Sequence, residues 1–195
     1  MKRNTLFYRI HNLVASALRY IRESRFYVYA IIILFCLSVV IGFLFSENFF
    51  FLEDFLRELV DQTRGLSLPQ LILFIFFNNV QSSLFGLFFG VFLGIFSILV
   101  VVLNGVVVGY VLERAWQLSG VSDFWRLFPH GIFELPAVFI SLGLGLKLGL
   151  FIFNSAPKST FIYRIYHSVL VFLFVVIPLL IAAAIIEGIL ILIYA

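Results

Sequence analysis

The stretch from residue 68 to residue 112 constrains this chain most, because its 45 residues are mostly apolar. As one straight helix it would be about 67 Å long, roughly twice the hydrocarbon thickness of a bilayer. The chain must therefore turn back on itself, and the glycine-bearing segment Gly94 to Ser97 is where the fold-back is expected. Composition fixes the solvent in which this happens. With 63% hydrophobic, 18% aromatic and 12% charged residues and a mean hydropathy of +1.15, the chain reads as a polytopic membrane protein rather than a soluble domain. Its 195 residues hold about five spans of roughly 20 residues each. The expected fold is all-α: a transmembrane helical bundle with broken or kinked helices, plus two interfacial amphipathic helices.

The first of these amphipathic helices occupies residues 1–25. Leu6, Phe7, Ile10, Leu13, Val14, Ala17, Leu18 and Ile21 recur at helical spacing, with Lys2, Arg3, Arg9, Arg19 and Arg22 between them. Such a basic, one-sidedly apolar helix suits a lipid surface. Nucleic acid is not an expected partner, because no base-stacking aromatic pattern accompanies the charges. A secretory signal is equally unexpected, since the charged region is too long and no small-residue cleavage site follows. The transmembrane domain then covers 26–195, with spans at about 26–45, 68–92, 95–117, 130–153 and 167–194. Residues 48–64 form the second amphipathic helix, its apolar side carrying Phe51, Leu52, Phe55, Leu56, Leu59 and Val60, with Gly65 as C-cap.

Loop charge supplies the orientation. Six Lys or Arg residues precede the first span, whereas Glu47, Glu53, Asp54, Glu58 and Asp61 outnumber Arg57 and Arg64 after it, so the N-terminus is expected in the cytoplasm. The segment 154–166, with Lys158 and Arg164 and no acid, is expected as a second cytoplasmic loop. Parity then requires three crossings between them and leaves the C-terminus outside the cell membrane. Cys36, the one cysteine, excludes an intramolecular disulfide and is expected to pack.

Small residues and amides punctuate the spans. Gly86, Gly90 and Gly94 form overlapping small-xxx-small repeats, and Gly105 with Gly109 forms another; this spacing lets helix backbones approach closely in lipid and allows a homo-oligomer if the faces are not consumed internally. Asn78 and Asn104 fall near mid-membrane, and with Asn79 these amides must find partners across helices or line a polar path. Helix breaks at Asn78-Asn79 and Asn104-Gly105 would favour the path.

The costliest residues are ionisable. His130 and Glu134 stand at i, i+4 at the mouth of the fourth span, behind Pro129, which suits a helix N1 position. Pro136 is expected to kink that helix beside Glu134. Glu187, in Ala182-Ala183-Ala184-Ile185-Ile186-Glu187-Gly188, lies at a similar depth in the last span. Charges placed separately in lipid are so unfavourable that His130, Glu134 and Glu187 are expected to converge, with Asn104 or Asn78 as neighbour. A neutral hydrogen-bonded network is one form of such a cluster. A divalent metal on His130, Glu134 and Glu187 is another, though three ligands lack a fourth; otherwise no cofactor is expected. Lys147 is expected to snorkel to the interface.

Asn78-Asn79, the glycines after it, Asn104-Gly105-x-x-x-Gly109, Pro129-His130-Gly131-x-x-Glu134-Leu135-Pro136-Ala137 and the Ala-x-x-x-Glu around Glu187 together resemble the stage II sporulation protein M family over roughly residues 68–190. The resemblance implies a small polytopic membrane protein. In the sporulating member such a protein is associated with two partners that degrade peptidoglycan during engulfment of the forespore, and proteins similar to this one also occur in organisms that do not sporulate.

Three readings follow. A non-enzymatic scaffold would hold membrane or cell-envelope proteins. A transporter or channel would line a path for a proton, a cation or a small solute with Asn78, Asn79, Asn104, His130, Glu134 and Glu187. An intramembrane hydrolase is the weakest, because neither His-Glu-x-x-His nor Gly-x-Ser-x-Gly is present and one cysteine supplies no metal set; the chain is not expected to be an enzyme.

Overall fold

The computed structural model describes residues 6–120 and 124–194, all-helical apart from turns and with no strand among them. In chain order the helices are α1 (Leu6–Glu23), α2 (Arg25–Leu44), α3 (Phe51–Thr63), α4 (Leu68–Phe88), α5 (Ile95–Ser119), α6 (Phe124–Gly149), α7 (Pro157–Val171) and α8 (Ile177–Tyr194). Five segments are long and apolar enough to cross a membrane: Arg25–Leu44, Leu68–Val91, Ile95–Leu118, Gly131–Phe153 and Pro157–Ile191. The last runs unbroken through α7 and α8.

α4 opens on Ser67, whose N–H and Oγ both donate to Gln70 Oε1, at 2.9 and 2.7 Å, with Pro69 in the first turn, where a missing N–H is harmless. The fold-back begins one turn after Gly86. A short 3-10 turn, Phe89–Val91, leads to Leu93 (φ 57°) and Gly94 (φ 73°), two left-handed residues that reverse the chain before α5 begins. Glycine tolerates this backbone and leucine resists it; Leu93 is held there because the turn is wedged against α6. A Cβ on Gly90 would lie 2.6 Å from the Gly145 carbonyl carbon, and one on Gly94 2.5 Å from Leu146 Cδ1. Hydroxyls close the joint, Ser97 Oγ donating to the Gly86 carbonyl at 2.7 Å and Ser141 Oγ to that of Ser83 at 2.8 Å.

α2 and α5 cross at similar range. Gly105 faces the Phe35 carbonyl and the Ser38 side chain, where a Cβ would lie 2.9 and 2.6 Å away, while Gly109 packs on Val39 and Gly42 on Val106. In lipid no hydrophobic force drives such contacts, so dispersion at close approach must hold them.

These crossings define two ends. At one, α1 lies over the start of α7 and the end of α6; at the other, α3 caps the ends of α2 and α5 through Leu52, packed on Val106 and Tyr110. Gly188, facing Leu68 and Ile72 at the start of α4, puts the C-terminal turn of α8 at the α3 end. α1 presents its apolar stripe to protein as well as outward: Ala17 and Tyr20 are buried with Leu170 and Val171, while Ile10 and Leu18 stay exposed.

One expectation needs correction here. The segment 154–166 is not a loop, since helix resumes at Pro157, a favourable N1 residue. α4 and α5 run unbroken through Asn78-Asn79 and Asn104-Gly105, and α6 continues as helix through Pro136. Irregular turns lie elsewhere, at the 3-10 turns Phe89–Val91 and Leu150–Phe153 and at a π turn, Phe172–Val176. Pro178 explains the latter: its ring cannot accept an α-helical neighbour at the carbonyl of Phe174, and one wide turn relieves the clash.

Candidate functional site

Glu134 lines a cleft of about 570 Å³ between α2, α5 and α6, whose walls include Cys36, Val39, Val107 and Val111. It keeps an interaction with a neighbour, in a wall otherwise almost wholly apolar. Cys36 is exposed there rather than packed. Glu187 is half-buried on α8, one turn beyond Ala184, which packs on Leu71 and Ile75 of α4. Both carboxylates therefore lie in the α3-end half of the bundle, Glu134 beside α2 and α5 and Glu187 on the stripe that meets α4. Among the described residues Glu187 accepts no hydrogen bond.

The side chain of His130 lies outside the described residues, and its backbone continues α6. Among the described residues no three His, Cys, Asp or Glu side chains form a group that could hold a metal. Asn78 is exposed and Asn79 half-buried. Asn104 is exposed as well and donates to the Val100 carbonyl of its own helix at 2.8 Å, so its amide is satisfied without reaching Glu134 or Glu187.

At the opposite end sequence reasoning missed a polar cluster. Lys147 does not snorkel; it is 8% exposed, donates to Ser24 Oγ at 3.0 Å and sits 3.9 Å above the Tyr20 ring. Arg164, equally buried, donates to the Lys147 carbonyl. Ser24 Oγ passes the chain on by donating to the Tyr20 carbonyl at 2.7 Å. The Tyr20 and Ser168 hydroxyls are buried beside each other, and burial pushes the Tyr20 hydroxyl well above its usual pKa, so it stays protonated. Glu23, accepting from the Tyr163 hydroxyl at 3.3 Å, is the carboxylate of this end. The arrangement can hold α1 in place and concentrate positive charge beneath it. Its one sequence signal was a lysine and an arginine inside apolar helices, each expensive unless paired.

Neither a curated protein nor a solved structure matches the chain. A family model described as Stage II sporulation protein M matches residues 31–190, from within α2 almost to the end of α8. Five membrane-length apolar helices, a glycine-wedged fold-back and that match lead to one conclusion: this multi-pass membrane protein belongs to the stage II sporulation protein M family.

Proposed function

We propose that the protein is a non-enzymatic membrane scaffold, oriented with α1 in the cytoplasm and α3 outside. The observation that supports this best is the fate of the amides: Asn78 and Asn104 are exposed on helices that do not break, and Asn104 is bonded within α5. A path through the bundle needs polar groups facing inward and, commonly, interrupted helices; here the helix crossings are closed by glycine and serine instead. The charged helices at the two ends then offer surfaces to membrane or cell-envelope partners. Purified chain in proteoliposomes should leave an imposed pH gradient to decay as in empty vesicles. A photo-crosslinking residue at the exposed Phe55 should give discrete adducts in native membranes.

One observation favours a second reading. Glu187 is a half-buried carboxylate with no partner among the described residues, as a proton or cation carrier would be. If the vesicles do leak protons, Glu187→Gln should abolish the leak while Glu187→Asp preserves part of it. A leak indifferent to both changes would leave Glu187 a structural group.

A further inference from the structure

The turn that reverses the chain between α4 and α5 has the composition of a span rather than of a loop. Between Ser83 and Asn104 the one polar side chain is Ser97, and it is fully buried, its hydroxyl spent on the Gly86 carbonyl. Around the apex Phe89, Phe92, Leu93 and Ile95 stand exposed. A turn that meets water ordinarily carries polar residues among its glycines.

The backbone of this turn does not call for water either. Four successive amides, those of Phe92, Leu93, Gly94 and Ile95, donate to the carbonyls of Phe89, Val91, Gly90 and Phe92 at 3.1, 2.9, 2.7 and 3.0 Å. Gly90 and Gly94 are buried against Gly145, Leu146 and Gly149 of α6, and irregular backbone is tolerated at hydrocarbon depth where protein covers it. α6 also gives the depth. Beyond Gly149, which backs onto Gly90 and Gly94, it runs on through the apolar Leu150–Phe153 before reaching Asn154. That stretch adds about 6–8 Å, with Ile152 and Phe153 exposed along it. Lys147 is no marker of water at this level, being buried against the Tyr20 ring.

We propose that the α4–α5 turn stays within the bilayer, with Phe89, Phe92, Leu93 and Ile95 seated among lipid acyl chains. A second copy of the chain fits this surface less well. Helices meet in lipid through small residues, and Gly90 and Gly94 are already spent on α6, leaving bulky side chains outward. The proposal holds for either orientation of the protein and does not rest on the scaffold reading. Its consequence is that α1 and the corner between α6 and α7, not the α4–α5 turn, form the face presented to water at this end.

Single-cysteine variants of the full chain, made in a Cys36→Ser background and reconstituted in proteoliposomes, test this. In vesicles opened to reagent on both faces, Phe92→Cys should stay unlabelled by a charged maleimide over the time in which Lys158→Cys reacts to completion. A bimane fluorophore attached to Phe92→Cys before reconstitution should be quenched by phospholipid brominated along its acyl chains and not by aqueous iodide. Should Phe92→Cys not fold, Ile95→Cys carries the same two readings. Labelling of the turn at the Lys158→Cys rate, or quenching by iodide in preference to brominated lipid, places the turn in water and overturns the proposal. So does a disulfide-linked dimer of Phe92→Cys with neither quencher effective, which would seat a second copy on the turn.

Discussion

Lys147 shows how far a single buried cation depends on residues remote in sequence. Its hydrogen-bond acceptor, Ser24, is 123 positions away, and the depth of Lys147 along α6 gave no hint that α1 would close over it. Lys147→Met, which fills similar volume without charge, should leave thermal stability within about 1 kcal/mol of wild type or raise it. Ser24→Ala, which strands the ammonium, should cost about 1–3 kcal/mol; detergent melting curves would check both, and the opposite order would mean that the cation itself is stabilising. Glycines make a cleaner residue-scale case. Gly105→Ala pushes a methyl group into the Phe35 carbonyl and should cost about 1–3 kcal/mol, whereas Gly131→Ala meets nothing nearer than Leu135 Cδ1 at 3.6 Å and should be neutral by the same measurement. The repeats at Gly86, Gly90, Gly105 and Gly109 could be read because close backbone approach needs a missing side chain. The side each carboxylate faces could not, since Glu134 and Glu187 have the same hydropathy on every face of their helices.

Individual helices were legible where hydrophobic length decided the matter. A 45-residue apolar run must fold back, and the left-handed Gly94 is where α5 begins. The start of α7 was not legible, because Lys158, Arg164 and the serine and threonine around them look like a loop unless Pro157 is taken as a helix N1 residue. Pro178 likewise announces a disturbance one turn upstream, yet only packing decides between a kink and the π turn that forms. α3 offers the element-scale test. Leu52 is 8% exposed while Phe50, Phe51 and Phe55 are largely uncovered, so Leu52, with Leu56 beside it, carries the docking of this helix. Leu52→Ala should loosen the helix by about 2–3 kcal/mol and speed tryptic cleavage at Arg57 and Arg64; unchanged cleavage would show that the membrane, not Leu52, holds α3.

At the scale of the whole molecule the five segments alternate direction, so α1 and the end of α8 lie at opposite ends of the bundle. In a Cys36→Ser background, Asp54→Cys and Lys158→Cys should react with impermeant thiol reagents from opposite sides of the membrane; labelling of both from one side would break the alternation.

The unbroken α7–α8 helix has a mechanical corollary. From Pro157 to Tyr194 it is about 57 Å long, nearly twice a hydrocarbon core of about 30 Å. Part of this rod must stand in the interface or lean, and α1 is strapped to its first turns through Tyr20 and Tyr163. The lean of such a rod depends on bilayer thickness at small energetic cost, and α1, packed on its first turns, shares whatever tilt the rod takes. The length of one helix and the placement of the basic helix at its start are thus a single geometric problem.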